Sequence, residues 1–376
     1  MKLLEYMAKD IFREHGIAVK NDVVVDSCER VREKIKEAGL KYPVVIKAQV
    51  QSGGRGKAGG VKFADNGEEA ETAVHAMLGM DILEDTAREL LLVEKAEIVA
   101  EWYLSIITDR QSRGPLLIFS PLGGVDIEEA ARVYPDKIAK VPLDPFSGVR
   151  DYAISYALDR TGTDSSMHAR LKEVAEKLYR AFFAYSCLLI EINPLAVTPP
   201  GELVAIDGKA EIDDSALYRL PKLLSFRDNR EKDPLVAEAR RFQLHFVRMD
   251  ADGAVGVISN GSGMLMSSID MLAKKGIKTG AAIDLGGGAT AERIREAVRI
   301  IFCVEKASAL LLSIFGGITR CDEVASGVRM ALTGIPSGKK IVIRMEGTNR
   351  EEGLAILAGT PAIIANSLSE AVDKML

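Results

Sequence analysis

Cysteine is scarce in this 376-residue chain: there are four, Cys28, Cys187, Cys303 and Cys321. They lie far apart, with no Cys-x-x-Cys pair and no zinc-ligand spacing, which argues against a disulfide framework and against a structural zinc site. Long apolar runs are missing too. No stretch approaches the roughly 20 uninterrupted apolar residues of a membrane span. The opening segment MKLLEYMAKDIFREHG carries charges where a signal peptide needs an apolar core. The expected setting is the cytoplasm, or the mitochondrial matrix if a transit peptide has been removed. Charge of one sign is not concentrated. Lys and Arg number 49, Asp and Glu 54, for a net charge of −5. Without a basic run, a nucleic-acid partner is not expected. The four histidines, His15, His75, His168 and His245, fall in segments with amphipathic helical spacing. No Ser/His/Asp or Cys/His arrangement presents itself.

What is present is ordinary globular composition, 47% hydrophobic and 27% charged, on a length that fits two or three domains of about 100–200 residues. Leu3, Leu4, Met7, Ile11 and Phe12 repeat at helical spacing, and Gly16 can cap that helix. A short strand around Val23–Val25 follows, then a helix with Asp26 as its expected N-cap. Tyr42–Val50 reads as a strand running into QSGGRGKAGGVKF. From Glu69 to Asp214 helices and strands mix as in an α+β domain with antiparallel hairpins, Leu188–Asn193 and Leu203–Asp207 forming one around Pro199–Gly201. The charged stretch Arg227–Pro234 suggests a boundary, with domains over residues 1–235 and 236–376. The second of these alternates strictly. Strands at Ala254–Ile258, Ala281–Asp284, Ala309–Ile314, Lys340–Met345 and Ala362–Ile364 each precede a helical segment, the pattern of a doubly wound parallel sheet.

Three places carry chemistry. Four strands of the last region end in small turns: Asn260–Gly263, Asp284–Gly288, Phe315–Thr319 and Glu346–Asn349. Ligands of doubly wound sheets sit at that edge, and amides at a helix start near Met264 suit an anion. The plain alternative is tight βα turns. Gly-x-Gly-x-x-Gly with a downstream acid is missing, which disfavours a nicotinamide site. In the first half, Lys47 sits late in a strand before Gly53–Gly60, where Arg55 and Lys57 lie among five glycines, a pattern suited to closing over phosphates. It lacks the Gly-Lys-Ser/Thr ending of a Walker loop. Third, Glu191 and Asn193 are two apart on a strand and so share a face. Asp207 ends the next strand and can oppose that face, and the Asn193 and Asp207 oxygens are of the kind Mg²⁺ takes alongside phosphates.

These segments together resemble the β subunits of succinyl-CoA synthetase, nucleoside-diphosphate-forming acyl-CoA ligases. The likeness covers nearly the whole chain and is closest at Leu4-Glu-Tyr with Ala8-Lys9, Lys47 with Gln49–Lys62, Leu189–Leu195, Asp207–Lys209, Asn260–Gly263, Asp284–Thr290, Ile314–Asp322 and Arg344–Asn349. The resemblance implies an ATP-grasp fold followed by a flavodoxin-like CoA-ligase domain. It implies a reaction in which ATP or GTP, succinate and CoA give succinyl-CoA, nucleoside diphosphate and phosphate through a phosphohistidine on a partner α subunit, in an αβ or α₂β₂ heteromer. By motif, Lys47, Gly54, Arg55 and Gly56 would hold nucleotide phosphates, and Glu94 and Glu101 would contact the nucleotide. Asn193 and Asp207 would bind Mg²⁺, and Glu191 would orient the partner histidine. Asn260, Gly317, Ile318 and Thr319 would contact the acid, and the amides of Gly261, Ser262 and Gly263 would face the phosphohistidine. The chain departs from the family pattern in a shorter Glu94–Glu101 stretch, in Thr319 for valine, in Ser262 for alanine and in Met345-Glu-Gly-Thr. These leave another short acid such as malate as an alternative, with a non-catalytic nucleotide-binding subunit as a third reading.

Overall fold

A computed structural model describes residues 1–51, 55–56, 58–82 and 85–376. The chain divides into two compact units, Met1–Leu224 and Ser225–Leu376.

The first unit opens with helix Glu5–Glu14, which buries Ala8, Ile11 and Phe12; Gly16 follows at φ 74°. A four-stranded antiparallel sheet runs in the order Asp22–Val25, Leu90–Glu94, Val44–Ala48, Val61–Ala64. Side chains alternate along a strand. Val44, Ile46 and Ala48 therefore join the apolar cluster with Val31, Ile35, Val74 and Met77 from the neighbouring helices, whereas Lys47 does not. The expected Asp26 cap is not formed. Helix Val31–Glu37 starts one turn later, from Arg30 in a left-handed conformation and without a side-chain cap, while Asp26 pairs with Lys34 at 3.3 Å.

The second sheet of this unit has the order Leu203–Ala205, Cys187–Val197, Ala100–Asp109, Gly114–Ser120, Ala139–Pro142. Gly208–Ile212 pairs with the first half of the long strand Cys187–Val197 and Leu203–Ala205 with its last residues. The expected hairpin is thus a strand against two shorter ones, with Asp207 in the break between them. The partner opposite Glu191 is Lys209. Helices Asp151–Thr161 and His168–Ala184 cover this sheet through Ala153, Ile154, Leu171, Val174 and Leu178.

In the second unit five parallel strands lie in the order Thr279–Asp284, Val255–Ser259, Ala309–Gly316, Lys340–Gly347, Ile363–Ala365. Numbered along the chain this is 2-1-3-4-5, the flavodoxin-like order. The sheet has apolar clusters on both faces: Ile258, Leu310, Leu312 and Ile343 belong to one, Val257, Leu311 and Val342 to the other. A sixth strand, His245–Arg248, adds antiparallel to the edge beside Thr279–Asp284. This corrects the helical expectation for His245. Among the described residues no helix is long and apolar enough to cross a membrane.

Candidate functional site: a buried ion cluster and a glycine-lined sheet edge

In the first unit four charged side chains meet. Lys47 Nζ donates to Glu5 Oε1 at 2.8 Å and to the Ile206 carbonyl at 3.1 Å, and lies 3.9 Å from Asp207 Oδ2. Arg55 binds Glu5 Oε2 and donates to Asp207 Oδ2 at 2.6 Å and to the Ala48 carbonyl at 3.3 Å. Burial opposes ionisation of Asp207, but Arg55 and Lys47 beside it outweigh burial and hold its carboxyl below the usual range. The same two carboxylates keep Arg55 firmly charged despite its burial. A strand lysine, a loop arginine, a helix glutamate and a carboxylate from a strand break are thus brought to one point. Gly56 is next to Arg55; Gly54 lies outside the described residues, as do Gly53 and Lys57 of the same loop.

Asp207 continues into the second cluster, since its carbonyl accepts from the Asn193 backbone N–H at 3.3 Å. The Asn193 amide is held from both sides: Oδ1 accepts from the Gly124 N–H at 2.7 Å and Nδ2 donates to the Val125 carbonyl at 3.0 Å. Glu191 shares this neighbourhood. Its Oε2 accepts from the Tyr103 hydroxyl at 3.2 Å, and desolvation pushes its carboxyl pKa up against the pull of Lys209, Tyr103 and Asn193. The donor set fits Mg²⁺. Asn193 and Asp207 supply two hard oxygens on adjacent backbone, and phosphates and water would complete the shell. No cluster of three or more His, Cys, Asp or Glu side chains that could hold a metal unaided occurs among the described residues.

Glu94 ends the strand Leu90–Glu94 and is half-buried. Glu101 lines a groove of about 530 Å³ with Leu122, Gly123, Val125 and Glu129. The groove adjoins Asn193 through the same Gly124–Val125 turn.

In the second unit the predicted turns gather at the carboxyl edge of the sheet. Asn260 spans the point where strand order reverses. Its Nδ2 donates to the Phe315 carbonyl at 2.9 Å and its Oδ1 accepts from the Phe315 N–H at 3.0 Å. The following helix starts at Ser262, two residues earlier than expected, after Gly261. Ser262 Oγ donates to Asp284 Oδ2 at 2.7 Å. Gly317 is exposed and Ile318 is 84% exposed, whereas Thr319 is 1% exposed, and its Oγ1 accepts from the Gly288 N–H at 3.1 Å. Gly347 closes over Gly316: at φ 114°, a Cβ there would stand 1.9 Å from the Gly316 carbonyl oxygen.

Two residues escaped the sequence reading. Glu5 sits with Ala8 and Phe12 at i, i+3, i+7 on the buried stripe of its helix; a carboxylate on such a stripe is the signal that could have found it. Tyr103, the partner of Glu191, had no local signal, because only the sheet register brings Ser105 and its neighbours opposite Glu191.

An ATP-grasp unit joined to a CoA-ligase unit defines the class of protein. The ATP-grasp domain family matches residues 2–197 and the CoA-ligase family residues 258–375. The succinate–CoA ligase [ADP-forming] β subunit of Desulfurococcus amylolyticus is 41% identical over 376 residues, covering 100% of this chain and 98% of its own. The protein of the same name from Rubrobacter xylanophilus is 41% identical, covering 96% and 94%. Among solved structures, ATP citrate lyase from Methanothrix soehngenii, in complex with citrate and coenzyme A, has the same fold. Its TM-score is 0.77 at 19% identity, over 99% of this chain and 98% of that one. The chain belongs to the succinate–CoA ligase β-subunit family. It is thus one subunit of an ATP-grasp ligase, with an α subunit as its partner.

Proposed function

We propose that this chain supplies the nucleotide site of a ligase that converts ATP, succinate and CoA into ADP, phosphate and succinyl-CoA. The phosphoryl group travels on a histidine of the α subunit, in an αβ or α₂β₂ assembly in the cytoplasm. The observation that carries the reading is the convergence of Lys47 and Arg55 on Asp207, beside Asn193. ATP is favoured over GTP because the relatives bear ADP-forming names.

Phosphoryl transfer needs positioning and charge neutralisation more than covalent help from the protein. Lys47 and Arg55 provide the positive charge for phosphate oxygens, with Gly54 and Gly56 as further phosphate contacts by motif. Glu94 and Glu101 hold the sugar and base end. Asn193 and Asp207 would hold Mg²⁺, which would screen the phosphate charge. Glu191 accepts a hydrogen bond from the incoming imidazole and orients it, a task that a strand-fixed carboxylate beside Tyr103 suits. In the second unit the helix start at Gly261–Gly263 faces the phosphohistidine. Asn260 and the exposed Gly317–Ile318 turn receive the acid. Thr319 contributes its backbone there, since its hydroxyl is already committed to Gly288. Domains over residues 1–235 and 236–376 divide these two tasks.

The test is turnover of the reconstituted αβ enzyme with Mg-ATP or Mg-GTP, CoA, and succinate or malate in turn. Turnover best with succinate and ATP supports the reading. A preference for malate would keep the mechanism and change the acid. No turnover with any combination would favour a non-catalytic subunit.

A further inference from the structure

Glu5 has no part in the chemistry above, yet its side chain is only 1% exposed. A buried carboxylate is costly unless cations and hydrogen bonds satisfy it. Here two cations do so, and they come from different segments: Lys47 from a strand, at 2.8 Å, and Arg55 from the glycine-rich loop. Glu5 stands in the first turn of helix Glu5–Glu14, and the next residue of that turn ties the helix to the same strand end, the Tyr6 N–H donating to Gln49 Oε1 at 3.3 Å. Gln49 in turn donates to the Lys47 carbonyl at 3.2 Å. The helix start therefore grips the strand around Lys47 through both backbone and side chain.

The four groups are charge-balanced, two carboxylates against two cations. Asp207 and Glu5 share Arg55. A metal-bound nucleotide changes the two carboxylates unequally. Its phosphates compete for Lys47 and Arg55, and its metal competes with Arg55 for Asp207, but nothing in it replaces Glu5. We infer that Glu5 is a positioning residue: its carboxylate fixes Lys47 and Arg55 relative to the helix, and holds Arg55 on Asp207 until a metal–nucleotide takes that carboxylate over. The inference rests on Lys47 and Arg55 being phosphate ligands, as proposed above.

The experiment uses the assembled αβ complex. Binding of the Mg²⁺ complex of a non-hydrolysable ATP analogue is measured by calorimetry for wild type, E5Q, E5D and K47M, together with KM for ATP, acid and CoA and the melting temperature. E5Q is expected to weaken analogue binding and raise the KM for ATP by about 10- to 100-fold, the usual scale for a residue that orients a ligand-binding group. The KM for acid and CoA should not change. E5D keeps the charge on a shorter arm and should fall between E5Q and wild type. A purely structural role would lower the melting temperature without this nucleotide-specific change, and that outcome overturns the inference. Unchanged analogue binding in E5Q, with K47M impaired, overturns it too while leaving the proposed function standing. Unchanged binding in K47M as well overturns both. If E5Q does not fold, wild-type binding by E5D is the overturning result.

Discussion

At the scale of single residues, Glu191 and Asp207 are perturbed in opposite directions, and the consequences differ. Desolvation raises the Glu191 pKa. Between the ordinary carboxyl value and the raised one, the native state keeps a proton that the unfolded chain has lost. Stability from this group is therefore present at low pH and declines as pH rises. Glu191→Gln removes the cost of a buried charge at neutral pH. The expected outcome is turnover with the α subunit lowered by at least ~100-fold, with a melting temperature equal to or above wild type. Asp207 has the reverse sign. Arg55 and Lys47 overcome its burial and depress its pKa. Its contribution is complete above the ordinary value of about 3.9 and is lost as pH falls through the native one. Asp207→Asn should flatten the acid limb of the stability-versus-pH curve in denaturant titrations and weaken the metal-dependent binding of nucleotide. Thr319 is a third case. Removing its hydroxyl in Thr319→Val leaves the Gly288 N–H without its acceptor, at an expected cost of about 1–3 kcal/mol. Thr319→Ser should be tolerated. Acid preference should be the same in both variants, because the hydroxyl faces inward.

At the scale of elements, the parallel sheet was the most legible part of the chain. Each of its five strands is followed by a helix, four of them through a small-residue turn, and that periodicity survives tertiary packing. The strand His245–Arg248 was not legible. It is four residues long, and the run His, Phe, Val, Arg has no period-two alternation and is too short to distinguish from a helical turn. Around the ion cluster the sequence announced Lys47 and Asp207 at strand ends and Arg55 in a glycine-rich loop. Their meeting depends on the break between Leu203–Ala205 and Gly208–Ile212, a feature of sheet register that no local pattern encodes. That break is sensitive to packing. A Cβ at Gly208 would lie 2.3 Å from the Phe12 ring. Gly208→Ala should therefore cost about 1–3 kcal/mol by overpacking. It should also impair nucleotide binding more than a surface change of equal stability cost, by displacing the neighbouring Asp207.

At the scale of the whole molecule, the proposed function assigns separate halves of the reaction to the two units. The ion cluster belongs to Met1–Leu224 and the glycine-lined edge to Ser225–Leu376. None of the four histidines joins either site: His15 follows the first helix, His75 and His168 lie in helices, and His245 is on an edge strand. In the proposed mechanism the phosphoryl carrier is a histidine of the partner. The most direct measurement is transfer of the labelled γ-phosphate of ATP, with this chain and its α subunit mixed or apart. The account predicts acid-labile, base-stable label on the α subunit only when both chains and Mg²⁺ are present, and almost none with Glu191→Gln. Label on this chain, or undiminished transfer by Glu191→Gln, would contradict it.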